Sequence, residues 1–369
     1  MINILVTGSD GFIGKNLCSH LSEKGKYNIF KFGKKNTLPE LYNLLDKAEI
    51  IFHLAGANRP KNNLEFYETN TNFTKKIISY LDQNNLSPSI VFTSSTQASQ
   101  LNDYGKSKLQ AEKIIESYSK KANTDCFCLR LPNIFGKWSR PNYNSVVATF
   151  CHNAANNIES KIDDAEAKIS LMYIDDLCEI FINYIDSTDS TVIEDLKPIY
   201  KISVGEIHQS IESFKSSREN LVMPNVGTGF LRALYSTYLS YIPKANFKYQ
   251  LDENIDDRGI FCEFLKTEQS GQFSFFTAKK GITRGGHYHH SKNEKFLVLK
   301  GEAKFRFKNL VTDEYFELFT SDKKYEVVET IPGWTHDITN ISEDDLIVML
   351  WANEIFNPQK PDTFARSME

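Results

Sequence analysis

Tyr104 and Lys108 stand four residues apart in the stretch Tyr104-Gly-Lys-Ser-Lys108. Side chains at this spacing lie on one face of a helix, so the phenol and the ammonium can converge. A nearby positive charge favours the phenolate and lowers the pKa of the phenol, which suits proton exchange with a sugar oxygen near neutral pH. Ser95 closes the apolar run Val91-Phe-Thr-Ser-Ser95, which predicts a buried strand, and its hydroxyl can hold the same oxygen. The alternative for the Tyr-x-x-x-Lys pattern alone is a solvated helix face.

A glycine-rich turn follows the first predicted strand, Ile2 to Thr7. The stretch Gly8-Ser-Asp-Gly11-Phe-Ile-Gly14 then leads into a helical pattern. Glycines permit a tight turn and close backbone approach, and free N–H groups at a helix start attract a pyrophosphate. The glycine spacing differs from the dehydrogenase Gly-x-Gly-x-x-Gly. The prediction of a pyrophosphate site therefore rests on the position of this turn directly after the first strand. The predicted cofactor contacts in this turn are Gly8, Asp10, Gly11, Phe12, Ile13 and Gly14.

Two further strand ends complete the predicted dinucleotide site. The second strand, Tyr27 to Phe32, is followed by Gly33, Lys34 and Lys35 rather than by an acidic residue. An acidic residue there binds the ribose of NAD, whereas a basic one accommodates the 2′-phosphate of NADPH. The lysines favour NADPH, with Lys34 as the predicted contact; alternatively they only solubilise the loop. The third run, Ile50 to Gly56, ends in residues against which a flat ring or a ribose can lie, namely Leu54, Ala55 and Gly56.

The glycine turn, the basic strand end, Ser95, Tyr104 and Lys108 occur in an order that resembles the nucleotide-sugar branch of the extended short-chain dehydrogenase/reductase family. Two later segments agree, Leu129-Arg-Leu-Pro-Asn133-Ile-Phe-Gly136 and Met172-Tyr-Ile-Asp-Asp176. The resemblance covers about residues 1 to 240 and implies an α/β fold with a doubly wound parallel sheet of the Rossmann type. It implies catalysis by Ser95, Tyr104 and Lys108. The substrate contacts that it implies are Asn133, Arg140 and Asn144.

A second group of ionisable residues lies in the C-terminal third, where short strands and turns are predicted. The stretch Gly281 to Gly301 satisfies the first cupin motif and contains His287, His289 and Glu294. His336 lies in a segment that resembles the second cupin motif, although its proline and glycine are adjacent. Three imidazoles and one carboxylate are an ordinary ligand set for a divalent metal such as zinc. Catalytic histidines without a metal are the alternative.

The same C-terminal segment is also similar to the dTDP-4-dehydrorhamnose 3,5-epimerases, which are cupins. The similarity rests on Asp256-Asp-Arg258-Gly-Ile-Phe-Cys-Glu263 and on Thr283-Arg284-Gly-Gly-His287-Tyr. It implies that His287 is the base that removes a proton beside a ketone, so His287 has two readings, ligand and base. Arg258, Glu263 and Arg284 are predicted substrate contacts, with ion pairs at a strand edge as the alternative.

Length and charge limit the remaining possibilities. The 369 residues fit two domains, which we predict at 1–243 and 244–369, with an amphipathic helix before Pro243 at the junction. A net charge of -4 argues against nucleic-acid binding through bulk positive charge. The sequence has no signal peptide pattern and no run long enough to span a membrane. Six cysteines without a Cys-x-x-Cys motif predict buried thiols and a cytoplasmic protein.

The combination of a nucleotide-sugar reductase with an epimerase-like cupin resembles the CapF/WbjC/FnlB-type bifunctional enzymes of capsule and O-antigen biosynthesis. This resemblance implies a UDP-linked 4-keto-6-deoxy amino sugar as the substrate. It also implies NADPH and a divalent metal such as zinc as cofactors, and a homodimer. It implies epimerisation at C3 followed by reduction at C4. Two alternatives stay open. The N-terminal domain is an epimerase or dehydratase that recycles bound NAD, or the cupin is a structural or dimerisation module.

Overall fold

The chain forms two compact units in the computed structural model, which describes residues 1–59, 62–186 and 196–368. The first unit comprises Met1–Ile211 and Thr228–Pro243, and the second comprises Glu212–Gly227 and the residues from Lys244 onwards. Each unit encloses its own apolar core. Among the described residues, no helix combines the length and apolarity needed to cross a membrane.

The first unit is built on a five-stranded parallel sheet with the strand order β2-β1-β3-β4-β5. Its strands are short runs of apolar residues, as expected for a sheet that is covered on both faces. They are β1 Ile2–Thr7, β2 Tyr27–Phe32, β3 Ile50–His53, β4 Ser89–Ser95 and β5 Cys126–Leu131. Three further strands form a small separate sheet, namely β6 Asn133–Phe135, β7 Lys168–Tyr173 and β8 Tyr200–Ser203.

Helices cover both faces of the parallel sheet. In chain order they are α1 Phe12–Lys24, α2 Leu38–Leu45, α3 Leu64–Phe66, a π-helical turn Tyr67–Asn72, α4 Phe73–Gln83, α5 Asp103–Ala122, α6 Val146–Ala155, α7 Ile174–Asp186, α8 Val204–Asn220 and α9 Gly229–Leu239. Side chains of α1 and α7 pack on one face of the sheet, and those of α2, α4 and α5 pack on the other. This arrangement confirms the predicted doubly wound α/β fold.

The second unit consists of two antiparallel sheets with the strand orders β16-β13-β18-β11-β10-β9 and β15-β14-β17-β12-β19. The strands are β9 Glu253–Asp256, β10 Gly259–Thr267, β11 Gly271–Ala278, β12 Thr283–Tyr288, β13 Glu294–Lys300, β14 Glu302–Asn309, β15 Tyr315–Ser321, β16 Val327–Glu329, β17 Trp334–Asn340, β18 Leu346–Ala352 and β19 Phe364–Ala365. Alternate residues of β14, including Ala303, Phe305 and Phe307, point into a core that both sheets share. The predicted all-β C-terminal fold is therefore confirmed.

Candidate active sites

The glycine turn between β1 and α1 is close-packed and leaves the start of the helix open. Gly8 has a φ of +70°, and a Cβ there would lie 2.7 Å from the backbone nitrogen of Ala55. A Cβ on Gly14 would lie 2.3 Å from the carbonyl oxygen of Gly8. Gly11 caps α1 without a side-chain hydrogen bond, and the first turn of the helix has no acidic residue. The free N–H groups of this turn suit a pyrophosphate.

The residues after β3 approach the helix that carries Tyr104 and Lys108. A Cβ on Gly56 would lie 3.0 Å from Lys108 Nζ and 2.9 Å from Asn70 Oδ1. The fully buried Asn70 accepts a hydrogen bond from the backbone nitrogen of Ala57 at 2.8 Å and donates to Ser107 Oγ at 3.0 Å. Asn70 therefore ties the loop after β3 to α5. Sequence reasoning missed it because its π-helical turn has no distinctive residue pattern.

Both the predicted basic residues and an acidic one lie near the end of β2. Lys34 and Lys35 are exposed beyond the strand. The carboxylate of Asp10 packs against the same strand end, since a Cβ on Gly33 would lie 2.0 Å from Asp10 Oδ2. A cleft of about 670 Å³ lies beside it. Its lining includes two lysines that the sequence did not single out, Lys15 and Lys31.

The three predicted catalytic residues lie where β4 ends and α5 begins. Ser95 is the last residue of β4, and its hydroxyl bonds the side chain of Tyr104 in the first turn of α5. Asn102 caps this helix by accepting a hydrogen bond from the backbone nitrogen of Gly105 at 2.7 Å. Lys108 is buried, and its Nζ donates to the carbonyl oxygen of Thr93 at 2.9 Å.

The pKa of Tyr104 differs from the expected direction. Burial raises the pKa of this phenol above its ordinary value, and the hydrogen bond with Ser95 opposes the rise. The pKa of Lys108 is lowered to about 8, chiefly by burial, while the Glu112 carboxylate acts in the opposite direction. The expectation of a lowered phenol pKa was wrong, because the loss of water at this buried position outweighs the effect of the hydrogen bond. Ser95 thus interacts with the phenol of Tyr104, while the ammonium of Lys108 on the same helix is held by the carbonyl oxygen of Thr93.

Glu112 joins the three elements around this site and was missed at the sequence level. It is 3% exposed and accepts a hydrogen bond from Ser94 Oγ at 2.5 Å. It also accepts two from Arg130, from Nε at 3.0 Å and from Nη2 at 2.8 Å. Such a bidentate pair fixes geometry as well as charge. The spacing of four residues from Lys108 on α5 was the available signal.

The predicted sugar-binding residues of the first unit are exposed. Asn133 begins β6, and its amide lies 3.5 Å from the carbonyl oxygen of Ser170, which is a long contact. Arg140 lies over the ring of Tyr143 at 5.3 Å. Asn144 is exposed in the same loop. These side chains are accessible to a ligand.

In the second unit, His287, His289, Glu294 and His336 come together as predicted. One possible ligand atom from each lies within 4.8 Å of all the others. The ring centroids of His287 and His336 are 4.8 Å apart, and those of His289 and His336 are 5.2 Å apart. Pairing of β12 with β17 brings His287 opposite His336. Antiparallel pairing therefore unites two motifs that are distant in the sequence.

The donor atoms of this cluster fit a divalent metal. The buried Nε2 of His336 makes no hydrogen bond with the residues that the structure describes and lies 3.5 Å from Glu294 Oε2. His289 Nε2 lies 3.3 Å from the same oxygen. The pKa of Glu294 is lowered overall, so the carboxylate is ionised. Burial alone would raise this pKa, but the contacts with both imidazoles and the charge of Lys292 together outweigh that effect. Three imidazoles around a carboxylate are a suitable set for zinc.

A cavity of about 220 Å³ opens beside the cluster and contains two arginines. Its lining includes His287, Glu294, His336, Arg258 and Arg284. The buried Nη2 of Arg284 has no hydrogen-bond partner among the described residues. Its Nε donates to the carbonyl oxygen of Thr277 at 3.0 Å. This nitrogen lies 3.8 Å from Asp256 Oδ1, beyond hydrogen-bond distance, and its N–H is available to an oxygen of a ligand.

The other predicted polar residues of this region are partly engaged in ion pairs. Arg258 binds Asp256 through Nε at 3.0 Å and Nη2 at 2.5 Å. Glu263 lies elsewhere on β10, where its carboxylate is 2.5 Å from Lys266 Nζ, and it does not line the cavity. The ion pairs that we considered as an alternative are thus present for Arg258 and Glu263, and Arg284 Nη2 also lies 3.8 Å from Asp256 Oδ1. Glu263 lies opposite Ser274 of β11 in the regular register of the two strands.

Comparisons with known proteins agree with the two-part organisation. Residues 4–202 match the NAD dependent epimerase/dehydratase family, and residues 254–364 match the polysaccharide biosynthesis C-terminal domain. The UDP-2-acetamido-2,6-beta-L-arabino-hexul-4-ose reductase of Pseudomonas aeruginosa is 47% identical over 100% of this chain and 99% of its own length.

Solved structures give the same result. The capsular polysaccharide assembling protein CapF of Staphylococcus aureus is 40% identical, with a TM-score of 0.93 over 99% of this chain and 100% of its own. The UDP-glucuronic acid 4-epimerase of Bacillus cereus, at 18% identity and a TM-score of 0.56 over 67% of this chain and 100% of its own, shares the fold. The chain therefore belongs to the NAD dependent epimerase/dehydratase family, in the two-domain group that contains the Pseudomonas aeruginosa reductase and CapF.

Proposed function

We propose that this protein is a bifunctional nucleotide-sugar enzyme of capsule or O-antigen biosynthesis. Residues 244–369 epimerise UDP-2-acetamido-2,6-dideoxy-4-hexulose at C3, and residues 1–243 then reduce its C4 ketone with NADPH. The product is UDP-N-acetyl-6-deoxy-L-talosamine, on the route to UDP-N-acetyl-L-fucosamine. The observation that carries the proposal is the presence, in one chain, of the Ser95, Tyr104 and Lys108 site and of the histidine cluster beside an arginine-lined cavity. The full-length likeness to a 4-hexulose reductase supports the substrate class.

In the reductase site, the residues of the chain manage the proton that accompanies reduction. Bound NADPH supplies the hydride. Tyr104 donates its phenolic proton to the developing C4 alkoxide, and Ser95, already bonded to Tyr104, holds the same oxygen. The raised pKa of Tyr104 keeps the phenol protonated before reaction, as a general acid requires. The ammonium of Lys108 stabilises the phenolate that remains.

In the C-terminal site, the C4 ketone acidifies the hydrogen at C3. His287 is the least buried member of the cluster and lines the cavity, so it is the candidate base that removes this proton. Arg284, with its unused Nη2 donor, stabilises the enolate oxygen or holds the substrate, and Arg258 lies in the same cavity. A divalent metal would be held by His289, Glu294 and His336, with His287 as a further ligand if it is not the base, and would supply positive charge there. Protonation of C3 from the opposite face, by an acid such as a solvent water rather than by the base that removed the proton, inverts C3.

The chemistry sets the order of the two steps. Reduction removes the carbonyl that makes C3–H acidic, so epimerisation must come first. Once the ketone is gone, the C3 configuration is fixed. By the same reasoning, reduction of the ketone ends proton exchange at C3.

For the cofactor, we propose NADPH, held by the glycine turn and by basic residues near the end of β2. Lys34 is exposed there, and Lys15 and Lys31 line the adjacent cleft. One observation favours the NAD-recycling alternative, because the carboxylate of Asp10 packs against the same strand end, where a ribose hydroxyl is an alternative partner. The two alternatives are distinguished by denaturing the purified protein with heat and identifying any nicotinamide nucleotide that it releases. Retained NAD supports the alternative, and an empty protein that oxidises added NADPH supports the reductase.

We further propose that the protein acts as a homodimer in the cytoplasm, on a UDP-sugar substrate and without nucleic-acid partners. All six cysteines are free thiols, as a reducing compartment requires. The dimer rests on the family resemblance. Sedimentation equilibrium of the full chain tests it, and a single species at the mass of one chain rules it out.

The deciding experiment uses the UDP-linked 4-keto-6-deoxy sugar in deuterated buffer. NMR follows deuterium incorporation at C3 without cofactor, and absorbance at 340 nm follows NADPH after its addition. Exchange followed by NADPH loss supports two activities. NADPH loss without exchange leaves a plain reductase with the C-terminal unit as a structural module. The absence of both activities contradicts the substrate assignment.

A further inference from the structure

The last residues of the chain return to the strand that carries the histidine cluster. β19 pairs with β12, which places Ala365 opposite His287 and Phe364 opposite Tyr288. The backbone nitrogen of Arg366 donates to the carbonyl oxygen of Gly286 at 2.9 Å. The ring of Phe364 stacks on that of Tyr288 with centroids 5.3 Å apart. This C-terminal segment therefore forms the edge of the sheet directly beside the cluster.

Asp362, just before β19, anchors the loop that connects His289 with Glu294. Its Oδ1 accepts a hydrogen bond from the backbone nitrogen of His290 at 2.9 Å. Its Oδ2 accepts from the backbone nitrogens of Ser291 and Lys292 at 2.7 and 2.8 Å, and from Ser291 Oγ at 2.9 Å. One carboxylate thus satisfies three consecutive backbone donors and a hydroxyl. Successive N–H groups of this kind form a binding site for an anion.

The same residue contacts the cluster directly through its main chain. His289 Nδ1 donates to the carbonyl oxygen of Asp362 at 2.5 Å. This hydrogen bond places a proton on Nδ1 and fixes the ring so that Nε2 faces Glu294 at 3.3 Å. Imidazole ligands of metals are commonly oriented by such a bond at the other ring nitrogen.

A second path runs from Asp362 to Glu294. Asp362 holds the backbone nitrogen of Lys292, and the largely buried Nζ of Lys292 lies 3.1 Å from Glu294 Oε1. The other carboxylate oxygen, Oε2, faces His289 and His336. Lys292 therefore occupies one oxygen of Glu294 and leaves the other for the centre of the cluster.

We propose that Asp362 is a positioning residue of the metal centre, which it supports through His289 and, by way of Lys292, through Glu294. This inference rests on the proposed metal site and assigns a role in that site to the C-terminal segment. Its physical basis is preorganisation, because the loop would otherwise have to be ordered when the ion binds. Loss of an outer partner of a metal ligand typically weakens binding about 10- to 100-fold.

The test compares Asp362→Ala with the wild type and with Asp345→Ala, a control at an exposed aspartate before β18. Zinc affinity is measured by competition with a chromophoric chelator. The visible spectrum of the Co²⁺-loaded protein reports the coordination geometry. We expect about 10- to 100-fold weaker zinc binding and altered Co²⁺ bands for Asp362→Ala, and wild-type behaviour for Asp345→Ala. Hydrogen exchange of the metal-free proteins is expected to show lost protection at residues 290–292 in the Asp362 variant alone.

The outcomes separate this inference from the metal site itself. If the wild type binds zinc and Asp362→Ala binds it equally with an unchanged Co²⁺ spectrum, the role of Asp362 is refuted and the metal site stands. If the wild type binds neither ion, both proposals fail. Should Asp362→Ala not fold, Asp362→Asn serves in its place, because it keeps one acceptor oxygen and is expected to bind zinc with intermediate affinity.

Discussion

The buried ammonium of Lys108 is predicted to destabilise the folded state. The side chain is 5% exposed, and its pKa falls from the ordinary 10.5 to about 8. At 1.36 kcal/mol per pH unit, this difference corresponds to a penalty of about 3 kcal/mol for the charged form. A lowered lysine pKa means that the unfolded chain binds more protons between pH 8 and 10.5. The penalty is therefore fully present below pH 8 and is relieved as the pH rises toward 10.5.

Replacement of Lys108 by Met removes this penalty and also the hydrogen bond to the carbonyl oxygen of Thr93, worth about 1 kcal/mol. The variant is expected to be more stable than the wild type by about 2 kcal/mol at pH 7, from these two magnitudes. Near pH 10.5 it is expected to be less stable by about 1 kcal/mol, because only the lost hydrogen bond remains. Its NADPH-dependent reductase activity is expected to be lost at both pH values.

Urea unfolding followed by circular dichroism at 222 nm measures this difference, since α1 to α9 all lie before residue 240. Groups that titrate equally in both proteins cancel when the variant is compared with the wild type at each pH. Lys106→Met, an exposed position on the same helix, is the matched control and should show no pH-dependent difference. A Lys108→Met variant that is less stable at pH 7, or a stability difference that does not change with pH, would refute the reasoning.

Three further predictions concern the two sites. Tyr104→Phe keeps the ring and loses the proton donor, so NADPH oxidation should fall about 10²- to 10⁴-fold while deuterium exchange at C3 continues; loss of both activities would contradict separate sites. Gly14→Ala places a Cβ 2.3 Å from the carbonyl oxygen of Gly8, so NADPH binding measured by fluorescence should be abolished, and unchanged binding would contradict the role of the turn. Arg284→Lys keeps the charge but loses the planar donor. The rate of deuterium exchange at C3 should therefore fall at least about 10-fold, which corresponds to the loss of one hydrogen bond of about 1.5 kcal/mol. NADPH oxidation with an already epimerised substrate should be retained.

Several parts of the two sites were predictable from residue types and spacing. The glycine turn follows β1 as expected because strand, turn and helix are local structures that neighbouring residues determine. Ser95 and Tyr104 are only nine positions apart, and a strand end followed by a helix start brings them into contact. The metal-type cluster was also predicted, because its two motifs carry unusual groups of histidines. These features depend on short-range patterns that the sequence displays directly.

The pKa of Tyr104 and the position of Glu263 were not predictable in the same way. The phenol pKa depends on how much water the packed fold excludes, which residue spacing does not report. Glu263 shares a sequence pattern with Arg258, but its carboxylate pairs with Lys266 and it does not line the cavity. A strand residue reaches a site only if register and bulges direct it there.

From the sequence by itself we could predict the two fold classes, the candidate catalytic residues and the four members of the histidine cluster, because local spacing displays each of them. Tertiary structure alone decided which distant residues support them. Glu112 meets Arg130 only because β5 lies beside β4 in the parallel sheet. Asp362 reaches His289, 73 positions away in the sequence, only because β19 pairs with β12. Such contacts follow from strand order and register, which are properties of the packed chain as a whole.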